Sequence, residues 1–525
     1  MTGLNGTQKR VAGPAIKPEV SPLVLTPDSS LEASQGLADE FRRILVLGAS
    51  RSGIAAAVAL CRLGRLVTLS DCKPRESLPG VEEALVAGAQ LVREDLLVES
   101  WPGFDLVVKS PGVPAEAAPV RKAREKGVPV WSELELAYVL LPNPFLAVTG
   151  TNGKTTTTAL LGHLLVTGGV PVRVLGNIGV AVTSVAGYVG TEEELVVEVS
   201  SFQLEDIHRF RPAVGVFLNL TPDHLDRHGS MDRYLECKAK LFANQGPEDV
   251  AVLNLADCAV AGVGRDLAAK TGGPQVKYFA VDPLALSRRG ENGETRGRRG
   301  RGGGAAKRIA TSLLDSWIEG GRFVLERRPL LDVSQIQLPG VHNLENCLAA
   351  ATAASARGVE RQAIAEGLRT FKGVPHRLER VAVVSGVTYI NDSKATNVDA
   401  ALTALNAFPE RTHLILGGRD KASDYGPLVR RCAAACKGVY LIGEAAPLIT
   451  QAFAEAKGSG DQKGWPGLHQ CGDLERAVHL AASLAKPGEV VLLAPACASF
   501  DQYRNYEERG EHFRSLVLAL SKENT

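Results

Sequence analysis

The sequence predicts an α/β protein built from several parallel sheets, and three observations predict it. Its 525 residues are too many for one ordinary core and suit about three units of 100 to 200 residues each. From residue 41 onward, short apolar runs alternate with amphipathic stretches, the rhythm of strands joined by crossover helices. Glycine turns directly follow several of those runs, at the carboxyl ends where such sheets bind ligands.

Taken in order, residues 1–40 are rich in Pro, Ser and Thr, and Pro22 breaks their only apolar patch. They read as a disordered extension and lack the unbroken apolar core of a signal peptide. In 41–141, Ile44–Leu47 reads as a strand, Gly48–Gly53 as a turn, Ile54–Leu63 as a helix and Leu66–Leu69 as a strand leading to Asp71. Leu141-Pro142-Asn143-Pro144 marks a boundary. In 142–372, strands are expected at Phe145–Val148, Leu195–Val199, Val214–Leu218 and Val250–Asn254. The Arg/Gly-rich segment 288–308 interrupts this unit and reads as a solvated surface insertion. In 373–525, Tyr389-Ile390, His413–Leu416, Val439–Ile442 and Val490–Leu493 are expected strands between Ala-rich helices.

Composition narrows the class. With 45% hydrophobic and 22% charged residues and a net charge of +1, nothing draws the chain as a whole to nucleic acid or to an anionic membrane. Nine scattered cysteines without CxxC spacing argue against a zinc ribbon or a disulfide framework, and reduced thiols in a cytoplasmic protein are expected. No apolar run approaches the roughly 18 residues of a transmembrane helix.

Two glycine turns carry chemistry. Gly48-Ala-Ser-Arg-Ser-Gly53, with Asp71 closing the next strand, is similar to a dinucleotide fingerprint, but Ser50 stands at the middle glycine. A plain turn, an NAD(P) site and a site for another nucleotide diphosphate all remain open on these residues. Gly150-Thr151-Asn152-Gly153-Lys154-Thr155-Thr156 follows a strand and opens a helix, so its backbone NH groups can cradle phosphate, Lys154 can reach the outer phosphates and Thr155 can bind Mg2+. Val148 occupies the usual first glycine, making this a shortened phosphate loop. Glu198 ends a neighbouring strand, where phosphoryl transfer needs a carboxylate for Mg2+, although a solvated carboxylate would look the same. His224 and His228 have the spacing of a zinc pair but no suitably spaced third ligand.

GTNGKTTTT, VEVSSFQLE, LNLTPDHLDRHGS and YLECKAKLF stand in the order and approximate spacing of the Mur ligase family, and residues 41–525 resemble it. The resemblance implies three domains: a Rossmann-like one at 41–141 for a UDP-linked substrate, a central P-loop-type ATPase at 142–372, and a Rossmann-like one at 373–525 for an amino acid and ATP. DSKATN (392–397), LGGRDK (416–421) and ACASFDQYRNYEERG (496–510) resemble the branch that adds D-glutamate to UDP-N-acetylmuramoyl-L-alanine. The implied partners are therefore ATP, that UDP substrate and D-glutamate, with no nucleic acid, and the implied state is a monomer. ATP would contact Gly150–Thr156, Asn343, Asn346, Arg377 and Asp392. Mg2+ would be held by Thr155, Glu198, His224 and Lys238, the last as a carbamate. The UDP substrate would meet Ser52, Asp71, Ser110 and Asn177, and Cys72 and Lys73 depart from the family pattern beside it. D-Glutamate would meet Lys394, Thr396, Lys421, Ser499 and Tyr506. A sister Mur ligase or a folylpolyglutamate synthase-like enzyme is the nearest alternative, and an NAD(P) oxidoreductase leaves the phosphate loop unexplained.

Overall fold

The protein is described by a computed structural model. It describes residues 37, 41–177, 180–282, 312–338, 340–408, 410–420, 423–458 and 464–523. The expected extension, apart from Leu37, the 288–308 insertion and Lys421 lie outside the described residues.

Three sheets follow one another along the chain. The first holds β1 (Arg43–Leu47), β2 (Leu66–Asp71), β3 (Gln90–Arg93), β4 (Leu106–Lys109) and β5 (Val130–Ser132), all parallel in the order β3-β2-β1-β4-β5. Its helix α1 (Arg51–Arg62) begins at Arg51, three residues before the expected start, because the glycine turn closes directly into the first helical turn through Ile54 N–H on Ser50 O. Helix α2 (Glu133–Leu140) leaves β5 with Ser132 accepting from Glu135 N.

The central sheet has nine strands: β6 (Phe145–Thr149), β7 (Val172–Gly176), β8 (Glu194–Glu198), β9 (Val214–Phe217), β10 (Val250–Asn254), β11 (Gln275–Ala280), β12 (Ser316–Glu319), β13 (Arg322–Leu325) and β14 (Arg328–Asp332). The order is β14-β13-β12-β11-β10-β9-β6-β8-β7. Every residue of β6, β8 and β10 is buried, as a parallel strand covered on both faces requires. Helices α3 (Lys154–Thr167), α4 (Leu225–His228), α5 (Met231–Ala239) and α6 (Val341–Ala356) belong to this unit. Leu161 and Leu165 of α3 share a core with Ala350 and Ala354 of α6 and with Val148 and Val216 of the sheet.

The last sheet orders β15 (Glu379–Val384), β16 (Val387–Asn391), β17 (Thr412–Gly417), β18 (Cys436–Ile442), β19 (Gly467–Gly472) and β20 (Val490–Leu493) as β15-β16-β20-β17-β18-β19, and α7 (Tyr506–Glu523) follows β20. Purely parallel sheets do not describe the second and third units: β12-β13-β14 and β15-β16 are antiparallel hairpins. Their two-residue turns sit at positive φ, with Gly320 and Gly321 at 56° and 75°, Glu326 and Arg327 at 49° and 62°, and Ser385 and Gly386 at 50° and 79°. That geometry matches the twist of paired antiparallel strands.

A dense polar seam joins the first unit to the second. Buried Glu133 accepts from Thr183 N and Oγ1, both at 2.7 Å, and buried Glu135 accepts from the backbone of His208, Arg209 and Phe210 at 2.7–3.0 Å. Lys109, fully buried, pairs with Glu205 at 2.6 Å and Asp206 at 2.9 Å. Among the described residues no helix is long and apolar enough to cross a membrane.

Candidate active site

The phosphate loop leaves β6 through two residues that only glycine fits. Gly150 has φ 151°, and a Cβ there would meet Leu218 Cβ at 3.0 Å; Gly153 has φ 83°, and a Cβ there would meet Asn346 Oδ1 at 2.3 Å. The loop is tied to the end of β9, with Thr151 N on Asn219 O at 3.0 Å and Asn152 N on Asn219 Oδ1 at 2.8 Å. Lys154 folds back, its Nζ donating to Gly150 O at 3.0 Å and Thr151 O at 2.7 Å. Burial lowers its pKa, and Glu198 opposes that shift. Thr155 and Thr156 occupy the buried first turn of α3, and the Thr155 hydroxyl accepts from Arg377 Nη1 at 3.3 Å.

Glu198 lies across the loop. Its Oε1 accepts from Asn177 Nδ2 at 3.1 Å, whereas its buried Oε2 has no hydrogen-bond partner. An orphaned carboxylate oxygen at the end of the strand paired with β6, the strand that leads into the phosphate loop, fits a divalent cation. Among the described residues no three His, Cys, Asp or Glu side chains cluster as a metal site. Lys238 is 1% exposed, it donates to the same Gly150 carbonyl at 2.8 Å, and its Nζ lies 4.7 Å from the centre of the Tyr234 ring. Burial first, and the neighbouring Lys154 second, lower its pKa to about 7. His224 caps α4 at φ 51° with a half-exposed ring 3.5 Å from Asp223. His228 instead hydrogen-bonds Ser201 Oγ at 2.9 Å and stacks on Phe202, so the two histidines take separate partners.

A second cleft lies between the central and third sheets, lined by Asn152, Gly153, Asn343, Asn346, Arg377 and Asp392. Asn346 bridges two helices, donating to Asn343 Oδ1 at 3.1 Å and accepting from Thr157 Oγ1 at 3.2 Å. Asp392, buried behind Arg377, accepts from Leu378 N at 3.2 Å; desolvation raises its pKa to about 6 against the pull of Arg377. Burial lowers the pKa of Lys394, and its Nζ is 5.8 Å from the Tyr506 ring. Thr396 is half-buried and Ser499 is buried in the same unit. His342 and Glu345 also line this cleft, although the sequence reading singles out only their neighbours in GVHNLEN.

In the first unit a Cβ on Gly53 would fall 1.8 Å from Gly48 O, so no side chain fits there unless α1 moves off the turn. Asp71 closes it, accepting from Ala49 N at 2.8 Å and Lys73 N at 2.9 Å, and Ser110 Oγ donates to Gly48 O at 3.0 Å. Ser52 lies in the first turn of α1. Asn177 reaches Glu198 and lines the central cleft with Pro111, Gly112, Lys154, His224 and Lys238.

A shortened phosphate loop, a buried carboxylate oxygen without a hydrogen-bond partner and two flanking α/β units define a nucleoside-triphosphate-binding protein whose clefts are lined from more than one unit. The Mur ligase middle domain matches residues 148–299 and the Mur ligase glutamate ligase domain matches residues 376–497. The chain is 42% identical to a UDP-N-acetylmuramoylalanine–D-glutamate ligase of Pelotomaculum thermopropionicum, covering 92% of this chain and 98% of that one. It is likewise 42% identical to the enzyme of that name from Acidobacterium capsulatum, covering 91% and 96%. Among solved structures it is similar to a UDP-N-acetylmuramate-alanine ligase of Thermotoga maritima (TM-score 0.52, 19% identity, 91% and 99% covered) and a pseudomurein peptide ligase of Methanothermus fervidus (TM-score 0.51, 18% identity, 91% and 100% covered). The chain belongs to the Mur ligase family.

Proposed function

We propose that the protein is an ATP-dependent ligase that joins D-glutamate to UDP-N-acetylmuramoyl-L-alanine, acting in the cytoplasm as a monomer. The observation that carries this reading is the convergence of Lys154 and Lys238 on one loop carbonyl, with Glu198, whose Oε2 has no hydrogen-bond partner, acting electrostatically on both lysines. The names and coverage of the relatives support the choice of substrates.

In this reading residues 41–141 bind the UDP substrate through Ser52, Asp71 and Ser110 with Asn177, residues 142–372 bind ATP, and residues 373–525 bind D-glutamate and complete the ATP site. A carboxylate oxygen is a poor leaving group, so the alanyl carboxylate first takes the γ-phosphoryl group of ATP, releasing ADP. The D-glutamate amine then adds to the acyl phosphate carbon, and the tetrahedral intermediate collapses with loss of phosphate. Lys154 swings from the loop carbonyls to the transferring phosphoryl group, and the backbone NH groups at the start of α3 hold its oxygens. Thr155, Glu198, His224 and a carbamate on Lys238 would hold Mg2+, which would supply positive charge against the phosphates. Asn343, Asn346, Arg377 and Asp392 orient the nucleotide. Lys394, Thr396, Lys421, Ser499 and Tyr506 surround D-glutamate, whose two carboxylates suit paired cations and hydroxyls.

Phosphate release from ATP with UDP-N-acetylmuramoyl-L-alanine tests this, comparing D-glutamate with L-glutamate, L-lysine and meso-diaminopimelate. Release with D-glutamate alone is the expected outcome; equal turnover of L-lysine would refute the assignment, because buried donors left without acceptors should reject it.

A further inference from the structure

Arg227 stands where loops of the first unit meet the central cleft. Its Nη1 donates to Pro111 O at 2.9 Å, and its Nη2 donates to Val113 O at 3.1 Å and Glu205 Oε2 at 3.0 Å. The guanidinium carbon lies 3.9 Å from the centre of the Phe202 ring, which also packs against His224 at 5.0 Å and stacks on His228 at 5.3 Å. Its Nε is buried without a hydrogen-bond partner, so the terminal nitrogens and the stacked face hold the group.

Two consequences follow from that placement. On one side, the clamped carbonyls flank Gly112 and directly follow Ser110, whose hydroxyl pins the Gly48 turn, so Arg227 is linked by one short segment to the first glycine turn. On the other side, Arg227 belongs to α4, whose cap is His224 in the left-handed conformation. Pro111, Gly112, Arg227 and His224 line one cleft with Lys154 and Lys238. Three acceptors in two directions plus an aromatic face require a planar fork of donors, which a lysine ammonium cannot reproduce.

We propose that Arg227 is a positioning residue for ligation, setting the register between the glycine turn that holds the substrate diphosphate and the His224 side of the phosphoryl-transfer cleft. The inference rests on the UDP-substrate reading. It differs from simple adhesion between units, which Lys109, Asp206, Arg124, Glu133 and Glu135 already supply at the same seam.

The test compares wild type with Arg227→Lys, Arg227→Ala and Arg124→Gln, the last removing an ion pair of the seam that touches neither Pro111 nor Val113. For Arg227→Lys, kcat should fall about a hundredfold and KM for the UDP substrate rise about tenfold, since a shift of an ångström in a reacting geometry costs on that scale. ATP affinity and melting temperature should change no more than in Arg124→Gln. Guanidinium ion should restore part of the activity of Arg227→Ala, a readout that a role in folding would not give. Arg227→Lys with wild-type kcat and KM overturns the clamp, as does a loss of ATP affinity equal to the loss for the UDP substrate. Wild-type protein that fails to bind the UDP substrate overturns the functional reading as well, so the two failures are distinguishable.

Discussion

At the scale of single residues, Lys238 shows how position remakes chemistry. On its helix it resembles any surface lysine, and only the family pattern YLECKAKLF marks it; its burial and its share in the Gly150 carbonyl become visible when α5 packs against the phosphate loop. A neutral amine can add carbon dioxide and lose a proton, leaving a carbamate whose two oxygens share one negative charge. Lys238→Ala should therefore abolish ligation without unfolding the protein, and acetate or formate should restore part of it. Lys240→Ala, which removes only an exposed hydrogen bond to Glu205 O, should remain active. A free amine on Lys238 in active enzyme, seen by mass or density, would exclude the carbamate. The same lysine gives a pH signature in buffer free of carbon dioxide. Its folded pKa of about 7 lies below the usual lysine value of 10.5, so between these values the unfolded chain binds more protons and stability rises with pH. The burial penalty is thus complete below about pH 7. Lys238→Met should raise the melting temperature most at pH 6 to 7 and least near pH 10; a difference independent of pH would show an ordinary protonated lysine.

At the scale of elements, burial and length together make a strand legible, and fully buried β4 and β5, with only four and three residues, are not distinguished by the sequence reading. FLAVT, VAVLN and VVLL stand out as apolar runs because both faces of β6, β10 and β20 are covered or nearly so. None of the six edge strands, β3, β5, β7, β14, β15 and β19, is distinguished by the sequence reading, and most of them mix exposed and buried positions that weaken any apolar run. The Gly320-Gly321 turn carries a hairpin signal, whereas Glu326-Arg327 reaches positive φ without glycine and gives none. The phosphate loop was legible because its glycines are stereochemically required. Gly153→Ala should drive a methyl into Asn346 and weaken ATP binding by about tenfold or more, a steric and backbone penalty of the kind left-handed positions impose. Calorimetry should show UDP-substrate binding preserved; wild-type ATP affinity in the variant would mean that the α6 contact yields freely.

At the scale of the whole molecule, the sites are divided among units that sequence motifs mark separately but that only packing brings together. Arg377 illustrates this: it belongs to the segment entering the third sheet, yet it donates to Thr155 of the phosphate loop. Lys154→Ala should lower turnover by several orders of magnitude while leaving UDP-substrate binding nearly intact, because the glycine turn at Gly48 is tied to its own unit. Equal loss of both affinities by calorimetry would contradict that division. Asp392 gives the cleft between units a pH limit. Its carboxyl is half-protonated at about pH 6, so kcat/KM for ATP should fall as pH drops through that value, and Asp392→Asn should lack this acid limb. A limb unchanged in Asp392→Asn would assign it to another group.

The seam at Lys109, Glu133 and Glu135 bears on how such a protein can be recombined. Each of these buried polar groups in the first unit finds its counterpart in segment 183–210 of the second, several of them backbone NH groups whose presentation depends on local conformation. A chimera that grafts a foreign first unit onto this central unit would strand those groups unless it also transplants the facing segment. A hybrid joined at Pro142–Pro144 alone should therefore melt at a lower temperature than one that also carries the donor's residues 183–210, and equal melting temperatures would show that the seam accepts foreign partners.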